Sequence, residues 1–184
     1  MRTVELRRHA ERDEDEDLTE RGLAEATRTR DALEFPYDAY YVSAAKRARL
    51  TMEALGIRDA VVDPRLGPRS KPPFARFGNR HEALMAAGMD AVTAWFAIPE
   101  CVPLLLENGR VAGAAVRDIA ANVPEGGRAL AVSHGGTIEP IIVALLGRSY
   151  AEVFGTRELA YCEGVRIVFR GSEPARVDVL RSRA

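Results

Sequence analysis

A chain of 184 residues, 47% hydrophobic and 29% charged, can bury one full core, so a single domain over residues 1–184 is expected. Twenty-six Lys and Arg against 27 Asp and Glu leave a net charge of −1, which argues against a nucleic-acid or anionic-membrane binder because both favour a basic excess. No apolar run approaches the roughly 20 residues that span a bilayer. The opening Met1-Arg2-Thr3-Val4-Glu5-Leu6-Arg7-Arg8-His9 turns charged too early for a secretory signal. Cys101 and Cys162 form no CxxC pair, so a cytoplasmic protein with free, buried thiols is expected.

In chain order, Val4 to Arg8 reads as a strand that stops at a histidine. The acidic stretch Glu11 to Asp17 reads as a solvated loop. Thr19 is a plausible N-cap for a helix whose mainly apolar face holds Leu23, Ala26, Thr27, Arg30 and Leu33, up to Pro36. Ala39 to Ser43 is a buried strand, Ala44 to Leu55 a helix stopped by Gly56, and Ala60 to Val62 a third short strand. Arg65 to Phe77, rich in Pro, Gly and Arg, marks a loop. Residues 80–98 are weakly helical, with Trp95 and Phe96 as core. Pro99 to Asn122 forms a longer helix with Gly109 and Gly113 in its middle. The unbroken apolar run Ala129 to Ser133 suits the centre of a parallel sheet, and Thr137 to Leu146 is the next helix. Val165–Phe169 and Arg176–Leu180 close as a hairpin around Gly171-Ser172. Alternating strands and helices give an α/β fold with a mostly parallel sheet, which places ligands at the carboxyl ends of its strands.

At three such ends a reactive residue follows the strand directly: Arg8-His9, Ser43 to Arg49, and His134-Gly135-Gly136. Guanidinium forks match phosphate oxygens and stay charged. A neutral imidazole can attack phosphorus, and a second one can hydrogen-bond the transferring oxygens. The N–H groups of Gly135 and Gly136 at a helix start add an anion-binding turn. No His/Asp cluster is spaced for a hydrolytic metal, so neither a metal nor another cofactor is expected. The chemistry assembled is phosphoryl transfer through a phosphohistidine. Of the three histidines, His81 is expected to be structural, and Arg7 and Arg49 are expected to lie outside the site.

These residues resemble the histidine phosphatase superfamily, also called phosphoglycerate mutase-like. Its opening Arg-His-Gly stands here as Arg8-His9-Ala10. Its Leu-Thr-x-x-Gly segment is Leu18 to Gly22 with Ala26, and its Ser-x-x-x-Arg-Ala-x-x-Thr signature is Ser43, Arg47, Ala48 and Thr51. Its closing Val-Ser-His-Gly-Gly-x-Ile is Val132 to Ile138. The short gap from His9 to Leu18 is most similar to the small phosphohistidine-phosphatase (SixA-like) type. The resemblance implies a three-layer α/β/α sandwich with a mostly parallel central sheet. It also implies His9 as nucleophile, with Arg8, Arg47 and His134 binding the phosphoryl group. The partner implied is a small phosphorylated substrate or a phosphohistidine protein.

Three positions depart from that pattern. Ala10 replaces glycine, where a methyl group either crowds the phosphate pocket or is simply tolerated, and Met52 replaces an alanine as a packing change. Ala75 stands where many relatives keep a glutamate, three residues before a Phe/Leu-Gly pair (here Phe77-Gly78), that protonates the leaving group. Glu82 and Glu11 are the candidate replacements, and a missing acid favours good leaving groups. The sequence reading is a metal-independent phosphatase acting through phospho-His9. The alternatives are a phosphoglycerate mutase-type phosphotransferase and a non-catalytic phosphate-binding module.

Overall fold

The computed structural model describes residues 1–68 and 74–182. Six strands form one sheet in the order β3-β2-β4-β1-β5-β6. They are β1 (Arg2–Arg8), β2 (Ala39–Val42), β3 (Val61–Val62), β4 (Arg128–Ser133), β5 (Gly164–Arg170) and β6 (Glu173–Leu180). β3, β2, β4 and β1 run parallel, while β1–β5 and β5–β6 are antiparallel. The mostly parallel sheet is therefore present, with the expected hairpin as its antiparallel edge. β4 is central and fully apolar inside, as a strand covered on both faces must be.

Side-chain alternation along β4 divides the core into two layers. Ala129 and Ala131 pack with Val4, Leu6, Val116, Ile119 and Ile141. Leu130 and Val132 pack on the other face with Val42, Met52, Leu55 and Ile57. The first layer is covered by α5 (Val102–Asn122), α6 (Gly135–Leu146) and α7 (Tyr150–Phe154). The second is covered mainly by α2 (Lys46–Ala54), with Leu33 at the end of α1 (Glu20–Ala32). The three-layer α/β/α expectation holds.

Local chemistry sets the boundaries. Thr19 Oγ1 accepts the Gly22 N–H at 3.0 Å and caps α1. The apolar face expected for α1 is only partly used. Small residues, Gly22 and Ala26, carry the contact, while Leu23 points to solvent. α5 starts at Val102 with Pro103 in its first turn, where a missing N–H is harmless. Gly109 does not weaken this helix idly. A Cβ there would lie 2.1 Å from the Pro140 carbonyl oxygen, so only glycine lets α5 lie directly on α6.

The weakly helical 80–98 region is two short helices, α3 (Gly78–Ala86) and α4 (Ala91–Phe96). Asp90 caps α4 by accepting the Thr93 N–H. The expected 65–77 loop is bounded by single 3₁₀ turns at Pro64–Leu66 and Ala75–Phe77, and its centre, 69–73, lies outside the described residues. Both cysteines are free and buried. No helix among the described residues is long and apolar enough to cross a membrane.

Candidate active site

β1, β2 and β4 run parallel, so their carboxyl ends meet at one edge of the sheet. His9 follows β1 and is held there by its N–H to the Ser133 carbonyl, while Ser43 following β2 donates its N–H to the Val132 carbonyl. His134 follows β4 and is the N-cap of α6. The two imidazole centroids are 5.1 Å apart.

Arg47, in the first turn of α2, bridges the two rings. Its Nε lies 3.1 Å from His9 Nε2 and its Nη2 lies 3.0 Å from His134 Nδ1. These contacts define the tautomers. His9 Nδ1 sits 2.8 Å from the Ala10 carbonyl and must donate to it, leaving a lone pair on Nε2 that faces Arg47. His134 Nε2 sits 2.7 Å from Ser43 Oγ and donates there, so Nδ1 receives Arg47. Burial first, then the nearby arginines, holds His9 down to about 4 and His134 to about 2. Both rings are neutral at pH 7. Burial also pulls Arg47 below the ordinary arginine range, opposed by the carboxylate of Glu16. It remains a cation.

Arg8 approaches from the β5 side. Its Nη1 donates to Glu158 at 2.5 Å and to the Leu159 carbonyl, and its guanidinium lies over the Tyr161 ring, 4.7 Å from the centroid. Its Nε is buried with no acceptor among the described residues, a costly arrangement unless an anion takes up that donor. Gly135 starts α6 in tight quarters: a Cβ would stand 3.2 Å from Arg8 Nη1 and 3.3 Å from Glu139 Oε2, so a side chain there would press both aside by a few tenths of an ångström. Its N–H and that of Gly136 belong to the first turn and have no intrahelical acceptor. Glu139 is fully buried one turn later, and its carboxylate accepts the Leu159 N–H at 2.7 Å. Burial pushes its carboxyl up to about 8.

The structure therefore brings His9, Arg8, Arg47 and His134 to one place. Glu11 is spent elsewhere: its carboxylate accepts Thr19 Oγ1–H at 2.9 Å and lies 3.6 Å from Arg21 Nε. Glu82, on α3, borders a cavity of about 440 Å³ that opens beside His134, Gly136 and Thr137. Ala75 borders the same cavity. His81 stacks on Trp95 with centroids 3.9 Å apart and reaches the Ala91 carbonyl through Nε2. Trp95 is thus a half-buried cavity wall rather than pure core. Arg7 turns away to Glu5, and Arg49 is exposed. Of the two alternatives for Ala10 the second holds: its methyl group is buried with Ala26 and Cys162 while its N–H donates to Thr51 Oγ1. Met52 fills the core under β4.

The solvated loop expected at 11–17 is present, with residues 12–15 and 17 exposed, and it is tied down at several points. A bridge between Arg12 and Leu18 closes it, and Asp17 pairs with Lys46. Glu16, in a left-handed conformation at φ 65°, pairs with Arg47 Nη1. Two cations at the start of α2 supply the countercharge that folds the loop. Among the described residues no three His, Cys, Asp or Glu side chains are grouped to hold a metal ion.

The sequence model of the histidine phosphatase superfamily (branch 1) matches residues 3–180. The chain belongs to that superfamily. It is therefore an enzyme of the phosphatase class. Among solved structures it resembles a phosphoserine phosphatase from Entamoeba histolytica in complex with 3-phosphoglyceric acid, at 16% identity and TM-score 0.72, covering 100% of this chain and 98% of that one. It also resembles a mycobacterial glucosyl-3-phosphoglycerate phosphatase in complex with VO3, at 19% identity and TM-score 0.68, covering 100% of both chains. A phosphoglycerate mutase from Bacillus anthracis str. Sterne follows at 18% identity and TM-score 0.64, covering 97% and 92%. At these identities the likeness is one of fold. No match was found among curated protein sequences.

Proposed function

We propose that this member of the superfamily hydrolyses phosphate monoesters or phosphohistidine through a phospho-His9 intermediate, without a metal ion. The observation that carries the reading is Arg47 spanning the two neutral imidazoles, with the Nε2 lone pair of His9 turned into the site. Phosphate displaces the Arg47–His9 contact. Nε2 attacks phosphorus as the bond to the leaving oxygen breaks, and charge spreading over the equatorial oxygens is met by Arg8, Arg47, His134 and the first N–H groups of α6. The departing oxygen takes its proton from Glu82, which borders the cavity beside His134. Water then attacks phosphorus while handing a proton back to the Glu82 carboxylate, the P–N bond breaks with its electron pair returning to His9 Nε2, and inorganic phosphate leaves with both residues restored. The arginines supply the positive charge a metal would bring. The free buried thiols support a cytoplasmic site of action.

Acid-quench trapping with a labelled substrate tests this. An acid-labile phosphoenzyme is expected in the native protein and none in His9→Ala, which should also lose turnover. Label on the variant, or more than about a hundredth of the native rate, refutes the covalent route.

A further inference from the structure

We infer that Glu158 is a positioning residue for phosphoryl transfer, an assignment that rests on the phosphatase reading above. It holds one end of the Arg8 guanidinium, so that the remaining donors are left for the phosphoryl group. Among the described residues both side-chain hydrogen bonds of Arg8 run from Nη1, to Glu158 Oε1 at 2.5 Å and to the Leu159 carbonyl. Tyr161 covers a face of the cation. Nε is buried with no acceptor among those residues. An arginine held at its end and on its face is aimed before substrate arrives, and its planar fork then meets the phosphoryl oxygens without reorganising.

Glu158 can act as a fixed post because its own backbone is held on both sides. Its N–H donates to Asp90 Oδ2 at 2.9 Å, and its carbonyl accepts Arg181 Nη1 at 2.5 Å. Its second carboxylate oxygen, Oε2, accepts the Val92 N–H at 2.9 Å in the first turn of α4, the helix that Asp90 caps. Val92 also borders the cavity beside His134, so one carboxylate fixes both a phosphate-binding arginine and a wall of that cavity. The side chains of Arg8 and Glu158 are only 16% and 15% exposed, so water screens the pair little. The other carboxylates nearby are occupied. Asp90 accepts the N–H groups of Thr93 and Glu158. Glu139 accepts the Leu159 N–H, and burial pushes its carboxyl up to about 8, so it is mostly protonated at pH 7. Glu158 is the counterion that remains.

Glu158→Gln keeps an acceptor for the Val92 N–H but removes the anion from Arg8. For nitrophenyl phosphate kcat should fall by about 10- to 100-fold with KM within about threefold, because charge alone still attracts the dianion while a displaced guanidinium misses the equatorial oxygens of the transition state. Since Glu158 acts through Arg8, the same substitution in an Arg8→Ala background should change kcat/KM by less than about twofold. Glu158→Asp keeps the charge but draws it back by one methylene; it should lose about threefold to tenfold in kcat, and it runs the same cycle if the Gln variant does not fold. Nitrogen–proton correlation spectra of the arginine side chains give a readout that needs no turnover. The Arg8 Nε–H signal, assigned by its loss in Arg8→Ala, should be sharp in the native protein and broadened in Glu158→Gln; this spectrum decides if Arg8→Ala has no measurable turnover. An equal loss with and without Arg8, a loss carried by KM alone, or an Arg8 signal that is the same in native and variant protein overturns the assignment and leaves the phosphatase reading standing. An Arg8 signal lost in Glu158→Gln while no ester is hydrolysed by the native protein overturns the phosphatase reading and leaves the hold on Arg8 standing.

Discussion

Stability should peak near pH 6.5, and Glu139 should cause the decline above it. Glu139 is fully buried on α6, next to Leu159 and Tyr150, with Glu158, Asp90 and Arg8 as its charged neighbours. Burial raises its carboxyl from 4.5 to about 8. Between those values the native state holds a proton that the unfolded chain has lost, so stability falls as pH rises. His9 and His134 act in the opposite direction, since both are depressed from 6.5, to about 4 and about 2. Below pH 6.5 the unfolded chain binds two protons there that the native state excludes. From 4.5 to 6.5 these two outweigh the single Glu139 proton, and stability rises with pH. From 6.5 to 8 Glu139 acts alone and removes about 1.4 kcal/mol per pH unit, or about 2 kcal/mol across the interval. Cys162, pushed up to about 11 by burial, adds a loss of the same sign only above about pH 9. Guanidinium chloride unfolding at half-unit steps from pH 5 to 8.5 should trace this maximum. Glu139→Gln keeps an acceptor for the Leu159 N–H and should replace the decline with a plateau. An unchanged decline in that variant, or none in the native protein, would refute the reasoning.

Arg47→Lys keeps one charge but cannot span both imidazoles and phosphate, so kcat/KM for nitrophenyl phosphate should fall by about 2–4 kcal/mol of transition-state stabilisation, roughly 30- to 1,000-fold. A loss under threefold with an unchanged melting temperature would place Arg47 outside the reacting centre. Activity should be unaffected by excess EDTA, and a requirement for Mg²⁺ or Zn²⁺ would contradict the arginine-based mechanism. Glu82→Gln should steepen the dependence of log kcat/KM on leaving-group pKa while Glu11→Gln leaves it unchanged; the reverse pattern would move the acid to the loop after His9.

The parts legible in the sequence are those set by short-range chemistry. The apolar run of β4, the Thr19 cap and the strand-end positions of His9, Ser43 and His134 follow from neighbours a few residues away. The four ordered signatures then point to one sheet edge. What stayed hidden depends on long-range approach. Glu158 and Tyr161 reach Arg8 from an irregular segment about 150 residues downstream, with no periodicity to mark them. Glu139 sits in a helix buried on nearly every side, which a glutamate one residue before Pro140 does not advertise. Glu16 looked solvated because its own stretch is acidic, and the compensating Lys46 and Arg47 lie on another element. The choice between crowding and tolerance at Ala10 stayed open in the sequence because the direction of its methyl group depends on where Ala26 and Cys162 pack.

The direct seat of Gly109 on the Pro140 carbonyl has a consequence for how this protein can diverge. α5 and α6 register on each other through backbone, so the place of His134 at the head of α6 does not depend on the size of the side chains around the cavity. Leu105, Asn108 and Ala112 lie on the same helix as Gly109, and changes among them reshape the pocket while the helix pair keeps its spacing. Selectivity and chemistry are thereby separable traits: new alcohols can be accommodated by point changes along α5, whereas any side chain at residue 109 would push the two helices apart and disturb every substrate alike.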